Sequence, residues 1–284
     1  MIKVTIITVT YNSSDKIQKF LDSLIVNKER ISEVFIIEND SPDQIETRKV
    51  CNKYVKRLNL TFVHHENEGF GKSCNYGLSL AKSPYVLFIN PDTEIQPNAL
   101  EILVKHCEKE DADIVGGKAI TYEGKTHGSV VRIPTLSTGF FEFSNLGKIL
   151  NVNYAHKKFY YEDRKILDSR NDQIVDAVSG GYMLVKKISM DQLGGFDENI
   201  FMYLEDVDLG KRAKELGMKV VFCPHSLIWH VGGSSSKNKY RILYKAWFDS
   251  RKYYYRKHFG IFKNILIQPL FIFEEYLLKK IKSL

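Results

Sequence analysis

Glu205, Asp206 and Asp208 place three carboxylates within four residues, at the start of a helical pattern and shortly after a Gly194-Gly195-Phe196-Asp197 turn. Acids at a helix start gain about 0.3 to 1 kcal/mol each from the positive end of the helix dipole, which accounts for one or two of them. Asp208 sits four residues before Arg212 and reads as its ion-pair partner. The cluster still holds more acid than a cap needs. Asp92, in Asn90-Pro91-Asp92-Thr93, and His230, in His230-Val231-Gly232-Gly233-Ser234, add a carboxylate and an imidazole, donor types that suit a divalent cation. His230 alone is more simply a satisfied histidine at a strand end. As a set these residues describe a catalytic site.

An α/β frame has to hold them. Val4 to Val9 is a β-branched run, followed by a polar turn from Thr10 to Asp15 and by Ile17, Phe20, Leu21 and Leu24 at helical spacing. The pattern repeats with Glu33 to Ile37 and a helix to about Arg57, then with Leu60 to Val63, the loop Asn67-Glu68-Gly69-Phe70-Gly71 and a helix from Ser73 to Ala81. The strand Tyr85 to Ile89 follows. Nearly continuous apolar strands alternating with helices predict a mostly parallel sheet covered on both faces. Ligands bind such sheets at the carboxyl ends of the strands. Tyr11 and Asn12, Glu38 and Asn39, and Asn90, Asp92 and Thr93 all fall there. Each cluster alone reads as an ordinary turn, and their convergence on one sheet edge is the stronger signal.

The pattern weakens from Ala119 to Ile174, where a hairpin around Glu123-Gly124 and contacts to a second substrate are expected. Strand character resumes from Asp176 to Val185, across Gly180 and Gly181, which would let a ligand approach the backbone closely. Val220 to Trp229 is a further strand, expected to break at Pro224.

With 284 residues, 44% of them hydrophobic, the chain can bury a large core. Four cysteines without CxxC spacing argue against a disulfide framework and fit a reducing, cytosolic compartment. The start of the sequence has no signal-peptide pattern, and Ile265 to Phe273, interrupted by Gln268 and Pro269, is too short to span a bilayer. The net charge of +7 is uneven: residues 237–284 carry twelve Lys/Arg against three Asp/Glu, or +9, leaving −2 for the rest. Within that tail Tyr240, Tyr244, Trp247, Phe248, Tyr253, Tyr254, Tyr255 and Phe259 interleave with Arg241, Lys245, Arg251, Lys252, Arg256 and Lys257. Rings and cations together suit the interface of an anionic membrane. They equally suit a helical extension packed on the catalytic domain or a dimer contact. Nucleic acid is disfavoured as a partner, because the core has no matching basic groove.

Thr8-Val9-Thr10-Tyr11-Asn12, Glu38-Asn39-Asp40-Ser41, Asn67 to Gly71, Asn90 to Thr93, Ser179-Gly180-Gly181, Glu205 to Asp208 and His230 occur in an order that resembles family 2 inverting glycosyltransferases of the rhamnosyltransferase type, over about residues 3 to 235. The resemblance implies a GT-A fold over residues 1–236, with a nucleotide-binding half (1–118) and an acceptor and catalytic half (119–236), followed by the basic aromatic extension 237–284. It implies a nucleotide-diphospho-sugar donor bound by Thr8, Tyr11, Asn12, Glu38, Asn39, Asn67, Gly69, Asn90, Asp92, Gly180 and Gly181. Asp92 and His230 then hold Mn²⁺ or Mg²⁺, the imidazole tilting the choice toward Mn²⁺. Asp206 is the general base, with Glu205 beside it, and a single base implies inversion at the anomeric carbon. The leading acid of the family's DxD pattern is Asn90 here, which gives the metal less charge. The expected activity moves L-rhamnose from dTDP-rhamnose to a lipid-linked saccharide at the inner face of the cell membrane, in cell-surface polysaccharide synthesis. A UDP-hexose or UDP-galactofuranose transferase and a non-catalytic nucleotide-sugar-binding subunit are the alternatives, and oligomerisation is left open. Nucleotidyl transfer is disfavoured, because no basic glycine-rich loop follows the first strand.

Overall fold

The computed structural model describes residues 2–230 and 237–282, and Val231 to Ser234 of the histidine motif lie outside the described residues. The β-branched runs of the first third form β1 (Val4–Thr10), β2 (Ile31–Asn39), β3 (Leu60–His65) and β4 (Tyr85–Ile89), joined through α1 (Ile17–Val26), α2 (Gln44–Asn52), α3 (Val55–Leu58) and α4 (Phe70–Leu80). Then come β5 (Thr93–Ile95), α5 (Ala99–Lys109), β6 (Ile114–Ile120), β7 (Thr126–His127) and β8 (Val130–Val131). Three short helices follow, α6 (Leu136–Phe141), α7 (Leu146–Ile149) and α8 (Tyr154–Phe159), in the stretch where the sequence pattern weakens. The remainder is β9 (Gln173–Ile174), β10 (Ala177–Val178), β11 (Tyr182–Lys186), α9 (Lys187–Leu193), α10 (Glu205–Glu215), β12 (Val220–His230), α11 (Lys237–His258) and α12 (Ile261–Lys282).

The main sheet has the order β3-β2-β1-β4-β11-β6-β12-β5. β3, β2, β1 and β4 pair in parallel, as the alternating strands and helices predict. β11 is the reversal: it runs antiparallel between β4 and β6, so its amino end, just after Gly181, meets the carboxyl end of β4 in the pair Tyr182 with Ile89. β7 folds back on β6 across the Glu123-Gly124 turn as expected. The expected break at Pro224 is instead a register shift between Cys223 and Leu227. Proline has no N–H for the ladder, and the irregularity absorbs that loss without ending β12.

The two-residue period of β1 divides the core. Val4 and Ile6 pack with Phe20, Leu21 and Leu24 of α1 and Leu100 and Leu103 of α5, whereas Ile7 faces Leu78 of α4 and Leu209 of α10. A third core lies outside the sheet and joins Phe143 and Phe159 to Leu204 and Val207, and these to Tyr254, Tyr255, Ile267 and Phe271 of the C-terminal helices. Sequence position 236 therefore separates two segments that share a core. For three of the interleaved rings the packed alternative holds and the membrane one does not: Phe248, Tyr254 and Tyr255 are buried, and Arg251 is sandwiched between the rings of Phe248 and Phe271 with Glu274 at 2.6 Å. Rings that fill a core this way are not available to a bilayer.

Asp208 ties this tail to the catalytic helix. It is fully buried in α10, where Arg212 Nε (2.7 Å), Lys257 Nζ (2.6 Å) and His258 Nε2 (2.7 Å) converge on its carboxylate. Lys257 also bonds Asp197 at 2.6 Å. Burial alone would raise the pKa of Asp208, but His258, Lys257 and Arg212 outweigh it and hold the group below the ordinary carboxylate value. For Asp197, likewise, the bonds from Lys257, Asn199 and Tyr253 outweigh burial and lower the pKa. Because both folded-state values are depressed, their contribution to stability is present above the ordinary pKa of about 4 and is lost as pH falls from there through the lower folded values. Asp208→Ala, which leaves Arg212 and Lys257 without their counter-charge and His258 without its hydrogen-bond partner, is expected to destabilise the protein by about 3 to 5 kcal/mol in urea unfolding at neutral pH. A loss below about 1 kcal/mol would mean that the cluster behaves as a solvated surface network.

Candidate active site

The carboxyl ends of β1, β2 and β4 open onto one cavity of about 360 Å³, within the range of small-ligand sites. Tyr11 and Asn12 reach it from the loop after β1, Asn39 from the end of β2, Asn67 and Gly69 from the loop before α4, and Asn90 and Asp92 from the loop after β4. Thr8 and Glu38 do not line it. Both are fully buried: Glu38 accepts hydrogen bonds from Thr10 Oγ1 (2.6 Å) and the Ser41 N–H (2.9 Å), so its carboxylate braces the ends of β1 and β2. From the resemblance both are expected among the donor contacts, and in this structure neither is among the residues that line the cavity.

Gly69 is where the two halves of the site meet. Its φ is +106°, and a Cβ there would lie 2.4 Å from the Phe201 carbonyl oxygen. That oxygen accepts the Phe70 N–H at 2.8 Å, which fastens the start of α4 to the loop ahead of α10. Ser73 in α4 donates to Asn39 Oδ1 at 2.6 Å, so the end of β2 is held by the same helix.

Strand register brings the two metal-ligand candidates together. β12 pairs antiparallel with β5, His230 opposite Thr93, and Asp92 directly precedes Thr93. His230 Nε2 and Asp92 Oδ1 lie 3.3 Å apart, both partly exposed. Burial would raise the Asp92 pKa, but the His230 hydrogen bond and charge, with a further contribution from Lys16, hold it below the usual value and keep it anionic. One carboxylate and one imidazole with open sides fit a divalent cation whose other ligands come from water and bound oxygens. Among the described residues the three-residue cluster of metal-binding side chains is elsewhere, at His106, Asp172 and Cys223.

Gly180 and Gly181 connect this pair to the acidic cluster. A Cβ on Gly181 would meet Asn90 Nδ2 at 2.8 Å, and the Gly180 N–H donates to Asp206 Oδ2 at 3.1 Å. Asp206 Oδ1 accepts the Val207 N–H at 2.8 Å. Tyr203 and Leu204, immediately before α10, both have positive φ (72° and 67°), a conformation that non-glycine residues hold only when their surroundings enforce it. This backbone sets the direction of the helix's first acids. Burial raises the pKa of Asp206 against its two backbone hydrogen bonds, and burial followed by the Asp206 charge raises that of Glu205. Glu205 Oε2 is buried without a hydrogen-bond partner, which adds to the pressure against its ionisation. Tyr160, beyond α8, is pushed up to about 12 by burial and then by Glu142 and Asp206, which puts this one ring within electrostatic reach of the acid.

The model of the family described as Glycosyl transferase family 2 matches residues 5–175, from β1 through the Asp92 loop to the end of β9. The chain belongs to glycosyltransferase family 2. As a member it is a glycosyltransferase acting on a nucleotide sugar. The chain is 28% identical over 230 residues to rhamnosyltransferase WbbL of Escherichia coli, covering 78% of this chain and 80% of that protein. It is 27% identical over 237 residues to the N-acetylglucosaminyl-diphospho-decaprenol L-rhamnosyltransferase of Mycobacterium tuberculosis, covering 79% and 75%. Its fold is GT-A-like. The mannosyltransferase PcManGT of Pyrobaculum calidifontis, solved with GDP-Man and Mn²⁺, superimposes with a TM-score of 0.60 at 17% identity, over 90% of this chain and 63% of that one. S. aureus TarS 1–349 with UDP-GlcNAc gives 0.56 at 18%, over 83% and 60%, so this transferase spans less than two thirds of either solved chain.

Several cavity residues of the transferase carry no signal that motif spacing picks up. Lys16, at the start of α1, is a cation on the strand-end loop and is recognisable only once that loop is known to face the ligand. Phe201 and Met202 enter ahead of α10, and Ile242 and Leu243 enter from α11, far along the sequence. Gly69→Ala is expected to destabilise the transferase by roughly 1 to 3 kcal/mol, from strain at positive φ and the clash with Phe201, with weakened nucleotide binding. Unchanged melting temperature and nucleotide affinity would show that the α4 junction yields without effect.

Proposed function

We propose that this glycosyltransferase is an inverting, metal-dependent rhamnosyltransferase that moves L-rhamnose from dTDP-rhamnose to a hydroxyl of a lipid-linked saccharide, at the inner face of the cell membrane, in the synthesis of a cell-surface polysaccharide. The observations that support the chemistry are the Gly180 N–H bond to Asp206, the close approach of Gly181 to Asn90, and the 3.3 Å Asp92–His230 pair two residues beyond Asn90. The sugar is suggested by the two relatives named as rhamnosyltransferases, one of which is also named for a decaprenyl-linked acceptor.

In this mechanism the cavity beside Tyr11, Asn39 and Asn67 takes the nucleoside, and Asn90, Asp92, His230 and Lys16 face the diphosphate. Asp92 and His230 would hold Mn²⁺ or Mg²⁺, which would supply a Lewis acid for the charge that builds on the departing diphosphate. Asp206 takes the acceptor hydroxyl's proton as that oxygen attacks the anomeric carbon. Its raised pKa makes it a better base than a free carboxylate, and the Gly180 N–H fixes its orientation. Burial favours the protonated form of Glu205 beside it, which spares Asp206 a second negative charge. Transfer in one displacement inverts the anomeric centre.

Asp206→Asn is expected to lower transfer by about 10² to 10⁴ while donor affinity changes little. In the wild type the base works only when ionised, so kcat should fall as pH drops through a value above the ordinary carboxylate pKa, with Asp92 still anionic there. Transfer that survives in Asp206→Asn removes Asp206 from this role. A panel of dTDP, UDP and GDP sugars, each with Mn²⁺, Mg²⁺ or chelator, tests the donor: metal-dependent turnover of dTDP-rhamnose is expected, and Asp92→Ala should erase the metal dependence. The fold neighbours crystallised with GDP-Man and UDP-GlcNAc make a UDP-hexose donor the competing outcome. Binding without any turnover would point to a non-catalytic subunit.

A further inference from the structure

Helix α12 is oriented against the usual rule for a surface helix. Its inner face, Ile267, Phe271 and Glu274, is buried against α6 and α11. Its outer face should therefore be polar. Instead Phe262 is 86% exposed, and Ile265, Leu266, Ile272, Phe273 and Tyr276 are 58–63% exposed. At 100° per residue these side chains, with exposed Pro269, fall in one stripe running about 21 Å along the helix. Singly exposed apolar residues need no explanation, but a continuous apolar stripe marks an interaction surface.

The chemistry around the stripe favours lipid. Lys263 and Lys280 stand near its two ends, over the rings of Phe259 and Tyr276, and Lys279 lies beside Lys280. Helix α12 itself carries four lysines against Glu274 and Glu275, which pair with Arg251 and Lys252 of α11, so a second copy placed on this face would bring like charge against like, whereas an anionic surface would be attracted. Phe262, Phe273 and Tyr276 are ring types that settle at headgroup level. Pro269, on the exposed side, cannot donate to the Ile265 carbonyl, and that oxygen can be satisfied by water or headgroups but not by hydrocarbon. Among the described residues no helix is long and apolar enough to cross a membrane, so α12 can lie on a bilayer but cannot span it.

We infer that the outer stripe of α12 is a bilayer-docking surface that lies in the interfacial plane of an anionic membrane. The inference deepens the proposed function, on which the choice of a membrane as partner rests in part. It moves the membrane contact from Phe248, Tyr254 and Tyr255 of α11, which are core, to the apolar residues of α12. Docking by a helix that packs on α11 would hold the cavity at a fixed height above the lipid that carries the acceptor.

Co-sedimentation of the whole chain with phosphatidylcholine vesicles, with and without about one third phosphatidylglycerol, tests this directly. Wild type is expected to sediment with the anionic vesicles, and the double variant Phe262→Ser with Phe273→Ser to lose about tenfold or more of that affinity. Circular dichroism and nucleotide binding of the variant should match wild type, since neither residue touches the cavity. No wild-type binding, or equal binding by the folded variant, overturns the inference. A wild-type dimer in sedimentation velocity that the double variant dissolves also overturns it, in favour of a second copy. Vesicle binding needs no sugar donor: if it persists while every donor fails to turn over, the proposed function falls and the docking surface stands.

Discussion

A buried carboxylate with no exposed surface needs counter-charge, and the position of Asp208 makes that need the organising constraint of the catalytic half. Arg212 supplies one cation from the same helix, but Lys257 and His258 must come from the end of α11, more than forty residues later. The ion cluster thereby fixes where the tail lies, and the apolar contacts of Leu204 and Val207 with Tyr254, Tyr255 and Phe271 follow from that placement. Charge of this kind seldom adds net stability over a well-packed apolar alternative. Here it sets a unique geometry for a helix whose first turn carries Glu205 and Asp206.

Positional strain is concentrated where that helix begins. Tyr203 and Leu204 hold left-handed backbone in succession, Phe201 lends its carbonyl to α4, and Met202 lends its own to Ser250 of α11. Two elements, α4 and α11, therefore grip the short segment before α10, and their contacts hold the unfavourable dihedrals in place. The result is an acid whose oxygens are already bonded to the Gly180 and Val207 N–H groups before any substrate arrives. Such preorganisation is what a base at fixed distance from a reacting hydroxyl requires.

Local pattern made the strand-end clusters legible in the sequence. Tyr11, Asn39, Asn67, Asn90 and Asp92 sit where an alternating α/β chain must put them, and Asp208 finds Arg212 at helical spacing. Glu38 and Thr8 share the same strand ends yet turn inward, because alternation along a strand is resolved only when its neighbours are known and Thr10 and Ser41 claim the Glu38 carboxylate. The three short helices between residues 136 and 159 gave no amphipathic period long enough to detect. The tail aromatics carried two equally good chemical meanings, and only tertiary contact separates Tyr255, which is core, from Phe273, which faces outward.

The wall that Ile242 and Leu243 contribute to the cavity has a consequence for biogenesis. Chains are made from the amino terminus and their domains tend to fold in that order. The sheet and the Asp92 loop can both be in place while α11 and α12 are still inside the ribosome. The ligand cavity cannot, since one of its sides and two partners of Asp208 come from α11, which is synthesised after them. An unfinished chain would thus have the family's sheet and motifs without a closed place for a nucleotide sugar, and competence to bind would appear in a single late step.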